Sequence, residues 1–201
     1  MQTVTEFTAF HGPKLLASGN PKHVAESVKE FFKDGPVENV LVFDNTRCHI
    51  VDIDFRGSTQ EVLARLESGV QEPAPAAENS RGPGRPKLGV VAKEVTLLPR
   101  HWDWLSSQPG GASVALRKLV EEARRINAGK DQVRAARECS YRFMSTALGH
   151  EANFEEASRA LFAGDHIRFE QLIAPWPADL RNHLESLAAA SFLTSNEGVE
   201  K

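Results

Sequence analysis

The sequence has only two cysteines in 201 residues, Cys48 and Cys139, and they make no metal-ligand spacing with each other or with histidine. That scarcity excludes a zinc ribbon and a disulfide-dense scaffold, and it predicts two reduced, partly buried thiols. No run of about 18 apolar residues occurs, so no membrane-spanning helix is expected. The opening MQTVTEFTAF lacks the basic stretch followed by an apolar one that marks a secretory leader, and a soluble, cytoplasmic chain is expected. Walker-type glycine loops, GxSxG and GxGxxG are absent, and the seven histidines match no hydrolytic motif. Cys48, Asp52 and Asp54 alternate onto one face of a strand pattern while His49 points away, which suits a solvated face better than a metal site. Neither catalysis nor a cofactor or metal is expected.

What the sequence does hold is a strongly uneven charge. Residues 1–80 carry 7 Lys and Arg against 12 Asp and Glu, residues 81–142 carry 13 against 6, and residues 143–201 carry 4 against 9. A formal net charge of -3 therefore hides a basic centre between two acidic ends. Such asymmetry points to a polyanionic partner for the middle of the chain.

The expected fold class is α+β, made of a small N-terminal ββαββα domain, a flexible linker and a mostly helical C-terminal part with one short strand. Residues 1–68 form the first domain. Strand patterns at 4–10 and 14–18 meet at His11-Gly12-Pro13, and Asn20 with Pro21 opens a helix bearing Val24, Val28, Phe31 and Phe32. A third strand runs from Val40 to Phe43 and a fourth from Cys48 to Phe55. Ser58 and Glu61 then make a capping box before Val62, Leu63 and Leu66. The antiparallel sheet is expected to carry helices on one face and to leave the other wet. Residues 69–92, rich in proline, alanine and acid before turning basic, read as a flexible linker.

Within that linker, Gly84-Arg85-Pro86 followed by Lys87 resembles the AT-hook, an extended motif whose arginines lie in a narrow A·T-rich minor groove. Proline keeps such a segment extended, glycine admits it to the groove floor, and cations meet the deepened negative potential. Pro83 stands where the motif has a second core arginine.

Residues 93–127 combine a short alternating pattern at Val95-Thr96-Leu97, a helix opened by Pro99 with Trp102 and Leu105 inward, a Gly110-Gly111 break and a second helix capped by Ser113. Leu116, Leu119, Val120 and Ala123 share the face of that second helix. The order resembles the ribbon-helix-helix fold, in which two chains pair their strands into a ribbon that enters the major groove. The resemblance implies a homodimer, a base-reading face of Thr96 and Glu94 with Ala92 or Lys93 at its edge, and a phosphate held by the backbone at Ala112 and Ser113. Glu94 and the apolar Leu98 depart from the family's usual residues. Arg100, beside His101, Trp102 and Trp104, joins the cationic set, with the tryptophans expected to pack rather than stack on bases.

Residues 128–193 read as a helical bundle and 194–201 as a disordered tail. The segments RGPGRPKLGVVAKEVTLLPRHWDWL, YRFMSTALG and FEEASRALFAGDHIRFEQLIAPWP resemble a bacterial family of unknown function, DUF2239, which implies no particular activity. The functional expectation is a DNA-binding protein, a transcriptional regulator or nucleoid-associated factor, contacting duplex DNA, A·T-rich sequence included, through Arg81, Arg85, Lys87, Lys93, Thr96, Arg100 and Ser113. The competing expectation is a protein-interaction adaptor, in which the basic centre engages the chain's own acidic ends or an acidic partner and no nucleic acid is bound, with the acidic N- or C-terminal part as a further surface for a protein partner.

Overall fold

A computed structural model describes residues 6–33, 35–69, 91 and 93–193. The chain divides into two compact units, Met1–Glu72 together with Gly129–Lys201, and Pro73–Ala128.

The first unit begins with β1 (Phe7–His11) and β2 (Lys14–Gly19), joined at Gly12, whose φ of 54° suits glycine in a tight turn. Helix α1 (Pro21–Phe31) starts where the local chemistry places it: the Asn20 side chain accepts from the His23 amide at 2.9 Å, and Pro21 occupies the first turn. Next come β3 (Val40–Asp44), β4 (His49–Ile50) and α2 (Thr59–Gly69). The four strands lie antiparallel in the order β2-β1-β3-β4, with Ala9 facing Ala17 on one side and Val42 on the other. The capping box before α2 is reciprocal, with the Ser58 amide donating to Glu61 Oε2 at 2.7 Å and the Glu61 amide to Ser58 Oγ at 3.4 Å. The Ser58 amide, joined by its hydroxyl donating to the same Oε2 at 3.0 Å, holds the Glu61 carboxyl below its ordinary range.

The fourth strand is shorter than its sequence pattern. Only His49 and Ile50 pair with β3 by strand geometry, although the Val51 amide still reaches Val42 O at 2.8 Å. Beyond it the chain keeps its alternation, with Ile53 buried and Asp52 and Asp54 exposed. Asp54 is occupied by Arg56, whose Nε and Nη2 donate to its two oxygens at 2.8 and 2.9 Å and hold the carboxyl well below the usual range.

Burial overturns the expectation of a wet sheet face. One face of the sheet sends Ala9, Val42 and Ile53 against Val24, Val28 and Val62 of α1 and α2. The opposite face sends Phe10 and Phe43 into a second core, made by α4 (Gly111–Ala147), α5 (Phe154–Ala163), α6 (His166–Ile173) and α7 (Ala178–Ala188). Phe143 sits 4.9 Å from Phe43 and 5.8 Å from Phe10 between ring centroids, in tilted and edge-on geometries that aromatic rings favour. The sheet is thus a middle layer. Its β2 edge is met by α7, where Asp179 Oδ2 accepts from the Leu15 amide at 2.9 Å and blocks further strand addition.

The C-terminal helices end and start as their sequence signals require. Gly164 closes α5 at φ 75°, and Asp165 caps α6 by accepting from the Arg168 amide at 3.1 Å. Trp176, 3% exposed, donates through Nε1 to Ala152 O at 2.8 Å, so its polar end is satisfied inside the core. A 3-10 turn, Ala189–Phe192, follows α7.

His183 lies among Phe10 and Phe143, 5.4 and 4.9 Å from their ring centroids, with Nε2 buried and no partner among the described residues. Burial lowers its imidazole from 6.5 to about 4, so it is neutral in the fold. Unfolding releases a histidine that binds a proton below pH 6.5. Its contribution is therefore complete above that value and is lost as pH falls toward 4. Urea unfolding is expected to show a loss of about 2 kcal/mol between about pH 7.5 and 5. His183→Gln should flatten that part of the profile, and an unchanged slope would remove the assignment.

Two further expectations are corrected here. Cys48 and Cys139 do not form separate thiols: they are joined as a disulfide, with Cα atoms 5.1 Å apart and a sequence separation of 91. The two helix patterns at 113–127 and from 130 onward are one helix, α4, which runs through Gly129. A single interior glycine costs only about 1 kcal/mol and cannot break a helix whose neighbours on both sides are good formers.

Candidate nucleic-acid interface

The second unit holds the residues expected to meet DNA. Arg81, Arg85 and Lys87 lie outside the described residues, as do the linker 70–90, Ala92 and the tail 194–201. From Lys93 the chain runs without helix to Leu98, and the Val95–Leu97 segment forms no β-ladder among the described residues. One strand without a neighbour has nothing to bond, so a ladder here needs a second chain. Lys93, Glu94 and Thr96 are exposed, as base- or phosphate-reading side chains must be.

Helix α3 (Pro99–Ser107) follows, with Pro99 in its first turn. Leu98 occupies the cap position and offers no side-chain acceptor, but its carbonyl accepts from the His101 amide at 2.8 Å. Leu105 is buried. Trp102, expected inward, is 38% exposed, and Trp104 is exposed further. Gly110 and Gly111 take φ values of 87° and 74°, a left-handed turn that only glycine makes without strain. Helix α4 begins at Gly111, so Ser113 lies inside the first turn rather than at the cap, a correction of one turn's detail. Its backbone oxygen accepts from Arg117 Nε at 3.0 Å, which ties that guanidinium along the helix.

The electrostatics are set by which cations have acidic neighbours. Arg124 pairs with Glu121 at 3.0 Å. Lys93, Arg100, Lys118 and Arg125 have no ion pair or hydrogen bond among the described residues. Lys118 and Arg125 were not singled out by the sequence pattern, because a cation on a helix surface has the same spacing whether or not an acid sits within reach. A hollow of about 180 Å³ lies between Trp104, Pro109, Ala115, Lys118 and Leu119. It places an indole, an aliphatic wall and an ammonium group around one space.

The face expected to be apolar and inward on the second helix is uncovered. Leu119 and Val120 are exposed, and Val91, Val95, Leu98 and Ile126 are exposed with them. Exposed large apolar side chains thus recur along residues 91–126, while Leu116 on the same helix is half-buried.

A family model described as an uncharacterized protein conserved in bacteria, DUF2239, matches residues 6–188. No curated protein and no solved structure matches.

Proposed function

We propose that this chain, which belongs to the uncharacterized bacterial family DUF2239, is a DNA-binding protein that acts as a homodimer through residues 93–127. One observation carries the reading: the segment that holds Lys93, Arg100, Lys118 and Arg125 without acidic partners among the described residues also leaves Val95, Leu98, Leu119 and Val120 exposed. An uncovered apolar face beside an unpaired extended segment is what a second copy would cover, strand to strand and helix to helix. Pairing two copies would also bring two sets of cations onto one surface, which suits the regular spacing of phosphates along a duplex.

In this reading Thr96 and Lys93 face the major groove, Arg100 and the backbone around Ser113 contact phosphates, and Arg81, Arg85 and Lys87 lie along the adjacent minor groove. The contacts are mostly to phosphate, so the protein acts on DNA architecture or as a regulator rather than through chemistry on the strand. Its location is then the cytoplasm, at the nucleoid.

The dimer is tested by sedimentation. The intact protein is expected at twice its 22.1 kDa chain mass. Leu119→Asp with Val120→Asp should return it to the single mass and weaken duplex binding by about 100-fold, the scale lost when two linked sites act alone. A variant that stays dimeric, or becomes monomeric and binds DNA as well as before, would set the dimer reading aside. Capture of duplex by neither form, with dimerisation intact, would favour the protein-interaction adaptor.

A further inference from the structure

The Cys48–Cys139 bond lies at the edge of a cleft of about 580 Å³ in the first unit, lined by Cys48, His49, Tyr141 and Arg142 among others. Its only charged lining side chain is Arg142, and no carboxylate lines it among the described residues. Arg142 is three residues beyond Cys139 on α4, so the two share a helix face. The guanidinium is held in place from both sides: Nη1 donates to Arg47 O at 3.2 Å and lies 3.4 Å from His49 Nε2, while Nη2 is 4.0 Å from Glu138 on the far side. A fixed cation at the mouth of a cleft that reaches a disulfide is an arrangement that attracts an anionic thiol.

The turn that presents Cys48 is held by Asp44, whose Oδ1 accepts from the Thr46 and Arg47 amides at 2.7 and 3.2 Å and whose backbone oxygen accepts from the Cys48 amide at 2.6 Å. Residues 45–48 form it, Cys48 sits in the left-handed region at φ 51°, and Asn45 Oδ1 is buried without a partner. Cys48 itself is 3% exposed, whereas Cys139 is half-buried.

We propose that Cys48–Cys139 is a reversible thiol–disulfide exchange site for an anionic thiol of tripeptide size, received in this cleft and oriented by Arg142. The reaction balances without another oxidant. A thiolate from the cleft attacks the Cys48 sulfur, the Cys48–Cys139 bond breaks, and Cys139 leaves as a thiolate beside Arg142, giving a mixed disulfide on Cys48. A second thiolate attacks the external sulfur of that mixed disulfide, releasing Cys48 as a thiolate and the two small thiols as their disulfide. Two electrons pass from two small thiols to the protein, and the two cysteine thiolates take up protons according to pH. Reoxidation runs the same steps backwards with the small-molecule disulfide. The class of co-reactant is therefore a cellular low-mass thiol bearing carboxylates, and Arg142 is a positioning residue that acts on its charge.

The test compares two thiols on the full-length protein. Loss of the disulfide is followed by alkylation and mass spectrometry in native buffer, with glutathione as the anionic probe and 2-mercaptoethanol as the neutral one. Both should reduce the folded protein, and a mixed disulfide should be trapped on Cys48. Arg142→Ala should slow the glutathione reaction roughly three- to tenfold, as expected for losing one nearby charge at a partly screened site, and leave the 2-mercaptoethanol rate within about twofold. Arg142→Lys should restore most of the glutathione rate. The proposal falls if the disulfide resists both thiols until urea is added, if Arg142→Ala slows both equally, or if it slows neither. Thermal melts of the three oxidised proteins separate a misfolded variant from a specific one, and Arg142→Lys carries the test if Arg142→Ala fails to fold.

Discussion

Reducing the Cys48–Cys139 bond is expected to remove about 4–5 kcal/mol from the unfolding free energy of the first unit. The bond spans 91 residues, so in the unfolded chain it closes a long loop and removes a large share of the conformations open to it. In the folded chain it joins the turn before β4 to the C-terminal part of α4, two elements already brought together by the core around Phe43 and Phe143. The cross-link therefore acts mainly on the unfolded state. Urea titrations of oxidised and reduced protein measure it directly, and Cys48→Ser, Cys139→Ser and the double variant should all match the reduced form, with no added loss in the double. Coincident oxidised and reduced curves would show that the bond constrains nothing. For a domain whose whole stability is about 5–15 kcal/mol, a loss of this size decides whether the first unit stays folded when the bond is open.

The second large effect concerns the basic arm. Replacing Arg81, Arg85 and Lys87 together with glutamine is expected to lower the slope of log affinity against log salt by up to about three units per chain, because each phosphate contact releases close to one counterion. Near physiological salt this corresponds to a loss on the order of 100-fold in duplex affinity. The A·T preference should fall with it, since the minor groove is where these side chains sense sequence-dependent width. Arg100→Gln alone should cost about one unit of slope and leave the preference intact. If the triple variant keeps the slope of the unmodified protein, the arm has no part in binding, and the contacts belong to residues 93–127 alone.

Local chemistry was readable from the sequence and distant pairing was not. Asn20 with Pro21, Ser58 with Glu61, and Gly164 with Asp165 each set a helix boundary through bonds spanning three or four residues, and the structure places all three as the spacing predicts. The disulfide was hidden because its partners are separated by 91 residues and by a whole second unit. The covered sheet face was hidden for a related reason. Phe10 and Phe43 alternate correctly for one buried side, but nothing in β1 or β3 says that Phe143 and Leu184 will cover it. In the candidate interface, the exposure of Lys93, Thr96 and Arg100 followed from pattern alone. The uncovered state of Leu119 and Val120 did not, because an apolar helix face reads the same whether it packs within a chain or against another copy.

Fluorescence anisotropy of a labelled A·T-rich duplex, titrated with the oxidised full-length protein at several salt concentrations beside a G·C-rich duplex and heparin, tests DNA binding most directly. The expected result is tight binding to duplex with a steep salt slope, tighter on the A·T-rich strand pair than on the G·C-rich one, and weaker binding to heparin at matched charge. Equal and weak binding to all three polyanions, or none to any, would contradict it.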